Sequence, residues 1–211
     1  GEDLDAYPRR DAADKKICEM CKVDYLFMPE ISNMYGSEEI LLKAPNKSYM
    51  LEGKSRPGHF DGVLQIVLKL FGLVQPTNAY FGKKDAQQLS LIQQMVKDFF
   101  LPINIVPCDI VREKDGLAMS SRNVYLDETQ RKNALLISKS LYSAASLIAK
   151  GELDVKKVKE KIYEVMKDLD VEYVAIVNRE FDEIKTIELK NSIILVVARF
   201  NQTRLLDNIW I

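Results

Sequence analysis

Three polar clusters hold the residues of this sequence whose types and spacing could act on phosphate. The first lies between a short apolar run and a helical pattern, and comprises Gly82, Lys83, Lys84 and Asp85. The free N–H groups and the dipole at a helix start attract phosphate, glycine lets the backbone approach closely, and lysine adds a mobile positive charge. The cluster predicts a phosphate contact, although a solvated helix start would have the same composition.

The second cluster follows another strand-like run and consists of Met119, Ser120, Ser121, Arg122 and Asn123. Two hydroxyl groups beside a guanidinium form a compact set of donors for phosphate oxygens. The preceding Asp-Gly pair at residues 115–116 could form the turn that presents them. A plain linker between two domains is the alternative interpretation.

In the third cluster a Pro-Gly turn separates two basic groups before an apolar helix, in the order Arg56, Pro57, Gly58, His59 and Phe60. His59 is the only histidine of the chain, and it could cap the helix or pack at its start. Taken singly, each of the three clusters has such an ordinary explanation.

The cysteines favour neither a disulfide framework nor a zinc site. Cys18 and Cys21 form a single C-x-x-C, and Cys108 is the third cysteine. Zinc would need further ligands, and scattered cysteines fit a reducing compartment. We expect Ile17, Cys18 and Cys21 to share the inner face of one helix over residues 11–23, with a redox pair as the alternative.

Composition excludes several classes of protein. With 211 residues, 47% of them hydrophobic, the chain can bury a substantial core. A net charge of −1 provides no general attraction for nucleic acid or an anionic membrane. No apolar run is long enough for a membrane span, and the polar start GEDLDAYPRR lacks the apolar stretch of a signal peptide, so we expect a soluble cytoplasmic protein.

The first half of the chain reads as α/β. We expect a buried strand at residues 23–29, a long loop over residues 30–58, and a helix over residues 60–74 that is apolar nearly all the way round. A strand at residues 78–81 precedes a helix beginning near Asp85, where Asp85 and Gln88 have the spacing of a capping box. A further strand at residues 103–111 completes a parallel β-α-β unit.

The second half predicts an α+β module with an antiparallel sheet. A helix capped by Asp127 and stopped by Gly151 is followed by one capped by Asp154. Three strand-like runs then occupy residues 171–178, 192–200 and 204–211. We place the domain boundary near Val111, giving an incomplete domain of residues 1–110 and a smaller domain of residues 111–211.

Taken in order, the clusters resemble one family. The segments LEGKSRPGHFDGV, YFGKKDAQQ and VREKDGLAMSSRNVYL are similar to successive signature segments of the pantothenate synthetases. TRLLDNIWI resembles the C-terminal strand of that family, and GEDLDAYPR resembles the stretch after its first catalytic region. The Met-Ser-Ser-Arg loop also resembles the KMSKS loop of class I aminoacyl-tRNA synthetases.

The resemblance implies a Rossmann-like nucleotidyltransferase sheet followed by a smaller α+β domain, and a two-step ligase reaction. ATP and pantoate would form pantoyl adenylate and pyrophosphate, and β-alanine would then displace AMP. The catalytic residues implied are Lys84, Ser120, Ser121 and Arg122. The ATP contacts implied are those four with Gly82, Lys83, Asp85, Val111 and Met119. The resemblance also implies that Gln88 binds pantoate and that Tyr7, Arg56 and His59 line the pocket for pantoate and β-alanine. The family also implies Mg²⁺ with ATP and a homodimer, while this sequence offers no dedicated set of metal ligands.

One departure from the family pattern is large. The family's H-x-G-H motif is absent from these 211 residues, because His59 belongs to another motif. We therefore expect this chain by itself to have little or no synthetase activity, and its parallel sheet to be incomplete, with apolar surface exposed. Two alternatives stay open: a non-catalytic fragment with dimer contacts and partial ATP binding, or another adenylyl transferase of the same class.

Overall fold

The computed structural model describes residues 11–211, beginning with helix α1 at Asp11–Met20. This helix is where the sequence predicts one, but the expected inward packing is wrong: α1 has no buried residue, and Ile17 is 57% exposed. The expected strand at residues 23–29 is also wrong, since those residues form no strand and Tyr25 is 93% exposed. Apolar residues become buried only where another element covers them, and no element among residues 11–211 covers this stretch.

The long loop region contains short helical turns. These are α2 at Ile31–Met34, a 3-10 turn at Asn46–Tyr49, and α3 at Glu52–Ser55. Helix α4 follows at His59–Val74. Its expected burial on all sides is wrong, because Leu73 is 63% exposed and the buried side chains lie on one face.

The β-α-β unit is confirmed. Strand β1 (Asn78–Gly82) leads through a 3-10 turn at Lys83–Asp85 into helix α5 (Ala86–Asp98), and strand β2 (Asn104–Cys108) pairs parallel to β1. The predicted capping box at the start of α5 is wrong: Asp85 makes no side-chain cap hydrogen bond. Its ψ of 62° is not the extended value of an N-cap, because the 3-10 turn enters the helix directly.

The second half folds as predicted. Helix α6 (Glu128–Ala149) begins with a capping box between Asp127 and Gln130, and α7 (Val155–Val165) is capped by the side chain of Asp154. Strands β3 (Asp170–Asn178), β4 (Ser192–Phe200) and β5 (Thr203–Trp210) form an antiparallel sheet in that order. A large apolar core lies between the helices and this sheet.

The two sheets are joined through the start of α5. Ala86 is buried in one cluster with Ala175, Val177, Phe181 and Ile193 of the antiparallel half. The turn between β1 and α5 therefore packs against the second sheet, and the domain boundary near Val111 stays a prediction. None of the helices among residues 11–211 has the length and apolar character needed to cross a bilayer.

Candidate active site

A cleft of about 590 Å³ lies between the β1–α5 turn, the loop after β2 and the β4–β5 hairpin. Its polar lining includes Arg56, Lys84, Asp85, Ser120 and Arg122. A smaller cavity adjoins the cleft and shares Arg56, Lys84 and Asp85 with it. The smaller cavity adds His59 and Gln88. The fold thus brings residues of all three polar clusters to one continuous site.

The two lysines of the β1–α5 turn have different environments. The ammonium of Lys83 is paired with Asp109 at 2.5 Å and lies 5.7 Å from the centre of the Trp210 ring. Lys84 lines the cleft and the smaller cavity beside it, and no carboxylate within residues 11–211 pairs with its ammonium. Lys84 is therefore placed to neutralise an anionic ligand in the cleft.

The loop carrying Ser120 and Arg122 is built by specific contacts, which argues against a plain linker. Asn123 is buried, and its amide donates to Glu113 Oε1 at 2.6 Å and to the carbonyl of Ala118 at 3.0 Å. Arg131 of α6 pairs with Glu113 and with Asp115. Hydrogen bonds from Arg131 and Asn123 lower the pKa of Glu113, which keeps this carboxylate charged.

A buried ion-pair network connects α3 with the antiparallel sheet. Arg204 of β5 pairs with Glu52 at 2.6 Å and with Glu172 at 3.0 Å, and the hydroxyl of Tyr173 donates to Glu52 at 2.5 Å. Burial raises the pKa of Glu172, but hydrogen bonds from Arg204 and Ser55 and the charges of Arg204 and Arg199 outweigh it and lower that pKa to about 2. Burial and the charge of Glu52 raise the pKa of Tyr173, so its phenol stays protonated. The network holds α3, and with it the segment leading to Arg56, against the second sheet.

Helix α3 depends on a close approach that only glycine permits. A Cβ on Gly53 would lie 1.6 Å from the carbonyl oxygen of Ser48. Beyond this point the guanidinium of Arg56 lies 2.8 Å from Nε2 of His59. A guanidinium can only donate, so Nε2 accepts and the ring proton is on Nδ1. The pair faces the smaller cavity, where it could contact a carboxylate or a carbonyl.

Several residues expected at the site do not line the cleft. Val111 and Met119 are exposed, and their backbones are hydrogen-bonded to each other at 2.9 Å. Gly82 and Ser121 flank the lining residues without belonging to the wall. The ATP contacts of these four residues and of Lys83 stay predictions, and Tyr7 lies outside the described residues.

Sequence reasoning missed the polar residues that hold the site together. These are Glu52, Gln87, Arg204, Asp207 and Asn208, all of which make long-range hydrogen bonds or ion pairs. The available signal was the polar pair Asp207-Asn208 inside an apolar strand, since buried polar groups need partners. Among residues 11–211 no cluster of acidic, histidine or cysteine side chains is placed to bind a metal ion.

Comparisons with known proteins agree with one another. The family described as pantoate-beta-alanine ligase matches residues 1–210. The chain is 80% identical over 211 residues to a pantothenate synthetase of Aliarcobacter butzleri and 54% identical over 212 residues to that of Sulfurimonas denitrificans. Each of these alignments covers the whole of this chain and 78% of the relative.

Solved structures show the same likeness. A crystal structure of pantothenate synthetase from Thermus thermophilus matches with a TM-score of 0.93 and 36% identity, covering all of this chain and 78% of that one. The pantoate-beta-alanine ligase of Francisella tularensis, complexed with beta-gamma ATP and beta-alanine, matches with a TM-score of 0.74 and 32% identity. That match covers 99% of this chain and 72% of the other.

Proposed function

This chain belongs to the pantoate-beta-alanine ligase family, and on that premise we propose that it joins pantoate to β-alanine with cleavage of ATP to AMP and pyrophosphate. The observation that carries the proposal is the convergence of Lys84, Ser120 and Arg122 on one cleft. These residues come from different loops, and their donors suit the oxygens of a triphosphate.

The chemistry needs no nucleophile from the protein. In the first step a pantoate carboxylate oxygen attacks the α-phosphorus of ATP, and the bond to the leaving pyrophosphate breaks. In the second step the amine of β-alanine attacks the activated carbonyl, loses a proton, and AMP leaves. The protein must align the reactants and stabilise the negative charge that develops on the phosphates.

The shape of the site supports a division of roles. We assign the triphosphate to the wider cleft, where Lys84, Ser120 and Arg122 are the donors. We propose that pantoate binds where the cleft meets the smaller cavity, because Arg56 lines both spaces and Gln88 and His59 line the cavity. The cavity itself, at about 20 Å³, has room for no more than a water molecule, so it would have to widen to admit part of pantoate. Because Arg56 and Lys84 line both spaces, the pantoate carboxylate and the α-phosphate would meet between them.

The proposed reaction also involves Mg²⁺, and we expect the protein to act as a homodimer. Mg²⁺ keeps several waters and is commonly held by one or two carboxylates with substrate phosphates. We propose that Mg²⁺ would bind together with ATP through its phosphate oxygens. Asp85, a carboxylate in the wall of the cleft, would be its protein ligand. A homodimer follows from the family expectation, and sedimentation at several protein concentrations tests it.

The test of the function is release of AMP and pyrophosphate, measured with each substrate omitted in turn. We expect AMP only when ATP, pantoate and β-alanine are all present, and loss of about 100- to 1,000-fold in turnover for Lys84→Ala because a donor to the phosphates is removed. Lys97 is an exposed lysine at the end of α5, so Lys97→Ala removes the same charge away from the cleft and serves as the matched control. AMP release without pantoate would instead indicate another adenylyl transferase.

A second measurement concerns the missing motif. The 211 residues contain His59 as their single histidine and hence no H-x-G-H sequence. We propose that the 211-residue protein binds ATP but has a low turnover number by itself. The 211 residues cover 78% of the A. butzleri relative, and fusing them to the rest of that relative's sequence should raise the turnover number. Calorimetry with ATP and pantoate measures the binding, and equal turnover of the two proteins would contradict this part of the proposal.

A further inference from the structure

Two adjacent polar residues of β5 lie behind both loops that line the cleft. Asp207 is 3% exposed and Asn208 is 1% exposed, although their neighbours along the strand are largely apolar. Polar side chains buried this deeply must find hydrogen-bond partners. Their partners lie in the β1–α5 turn and in the loop after β2.

Asn208 holds the β1–α5 turn. Its Nδ2 donates to the carbonyl oxygens of Lys83 at 3.0 Å and Lys84 at 2.7 Å, and its Oδ1 accepts from Nε1 of Trp210 at 2.9 Å. Both amide hydrogens and the amide oxygen are thereby used, which fixes the orientation of the side chain. The backbone that carries Lys84 is therefore anchored to the antiparallel sheet.

Asp207 holds the base of the other loop. Its two carboxylate oxygens accept from the guanidinium of Arg112 at 2.6 and 3.1 Å, and the same guanidinium donates to the carbonyl of Gly116 at 3.2 Å. Asp207 Oδ1 also accepts from the backbone N–H of Asn208 at 2.8 Å. The loop that leads to Ser120 is thus anchored at the neighbouring position of the same strand.

We propose that Asp207 and Asn208 form a clamp that sets the separation between Lys84 and the Ser120–Arg122 loop. The clamp residues are positioning residues, because their hydrogen bonds are with backbone groups, Arg112 and Trp210 and neither residue lines the wide cleft, although Asp207 borders the smaller cavity. The inference rests on the proposed nucleotide site. It adds that the C-terminal strand of the second sheet determines how the two phosphate-binding loops face each other.

The experiment is a double-mutant cycle with Asn208→Ala and Lys84→Ala, with Asn133→Ala on the exposed face of α6 as the matched control. The probe is the β,γ-methylene analogue of ATP, and calorimetry gives its affinity for each variant. We expect Asn208→Ala to weaken binding roughly 3- to 10-fold through misplacement of Lys84, on the scale of lost hydrogen bonds. In the Lys84→Ala background the same change should have almost no further effect on affinity.

Unfolding by urea separates positioning from plain destabilisation. The loss of stability from Asn208→Ala should be the same in both backgrounds, while its effect on affinity should not. An equal fold-change in affinity in both backgrounds, or none in either, would overturn the clamp. If Lys84→Ala leaves affinity unchanged, the proposed nucleotide site itself is wrong. Asn208→Ser, which keeps one donor, provides the same comparison should the alanine variant fail to fold.

Discussion

Replacement of Glu52 by glutamine tests the buried ion-pair network most directly. The substitution keeps the shape of the side chain and removes its charge. Glu52 accepts from Arg204 at 2.6 and 2.7 Å and from Tyr173 at 2.5 Å, and the Glu52 and Arg204 side chains are only 11% and 15% exposed. The free energy of unfolding should therefore fall clearly.

The magnitude follows from the partners that remain. Removing one member of a buried ion pair destabilises a protein by about 3–5 kcal/mol when the other charge is left alone. Here Arg204 keeps Glu172 at 3.0 Å, so its charge stays compensated. We therefore expect a smaller loss of about 2–3 kcal/mol, near the value of hydrogen bonds to charged groups. For a chain of this size that loss corresponds to roughly 4 to 12 °C in Tm.

Urea unfolding, with Glu38→Gln as an exposed control, measures the effect. The midpoint should decrease without a change in slope. Arg204→Met should destabilise more than Glu52→Gln, because it leaves Glu52 without an ion-pair partner and Glu172 with only Arg199 at 2.8 Å. The double variant should lose less than the sum of the two. A loss no greater than that of the control, or strict additivity, would show that the network contributes no more than surface ion pairs.

Three further outcomes are expected. Because the pKa of Glu172 is lowered from 4.5 to about 2, its contribution to stability is present above pH 4.5 and lost as the pH falls towards 2; Glu172→Gln should flatten the stability profile in that window. Gly53→Ala should destabilise by about 3 kcal/mol or more, because its Cβ would lie 1.6 Å from a backbone oxygen and the chain would have to move, whereas on α4 the added Cβ of Gly62→Ala meets nothing within 4 Å and should stabilise by roughly 0.5–1 kcal/mol in thermal unfolding. Asn123→Ala should raise the KM for ATP in steady-state assays with little change in far-UV circular dichroism, since it frees the loop around Arg122; an unchanged KM would contradict its positioning role.

The sequence by itself determined the elements whose signals are local. The Asp127 cap, the Asp154 cap and the apolar runs of the last three strands depend on residues a few positions apart. Such patterns act through hydrogen bonds within a turn or between adjacent strands, so a reader of the sequence can find them. The ordered clusters around Lys84 and Arg122 also identified the family.

Only the tertiary structure decided what covers each element and which distant groups meet. The apolar run at residues 23–29 reads as a strand, yet burial depends on a covering partner that no local pattern encodes. Asn208 contacts the carbonyl of Lys83 across 125 positions of sequence, and Arg204 contacts Glu52 across 152. Long-range pairs form when whole sheets and helices pack, and the energy that selects them belongs to the assembled core rather than to any segment of the chain.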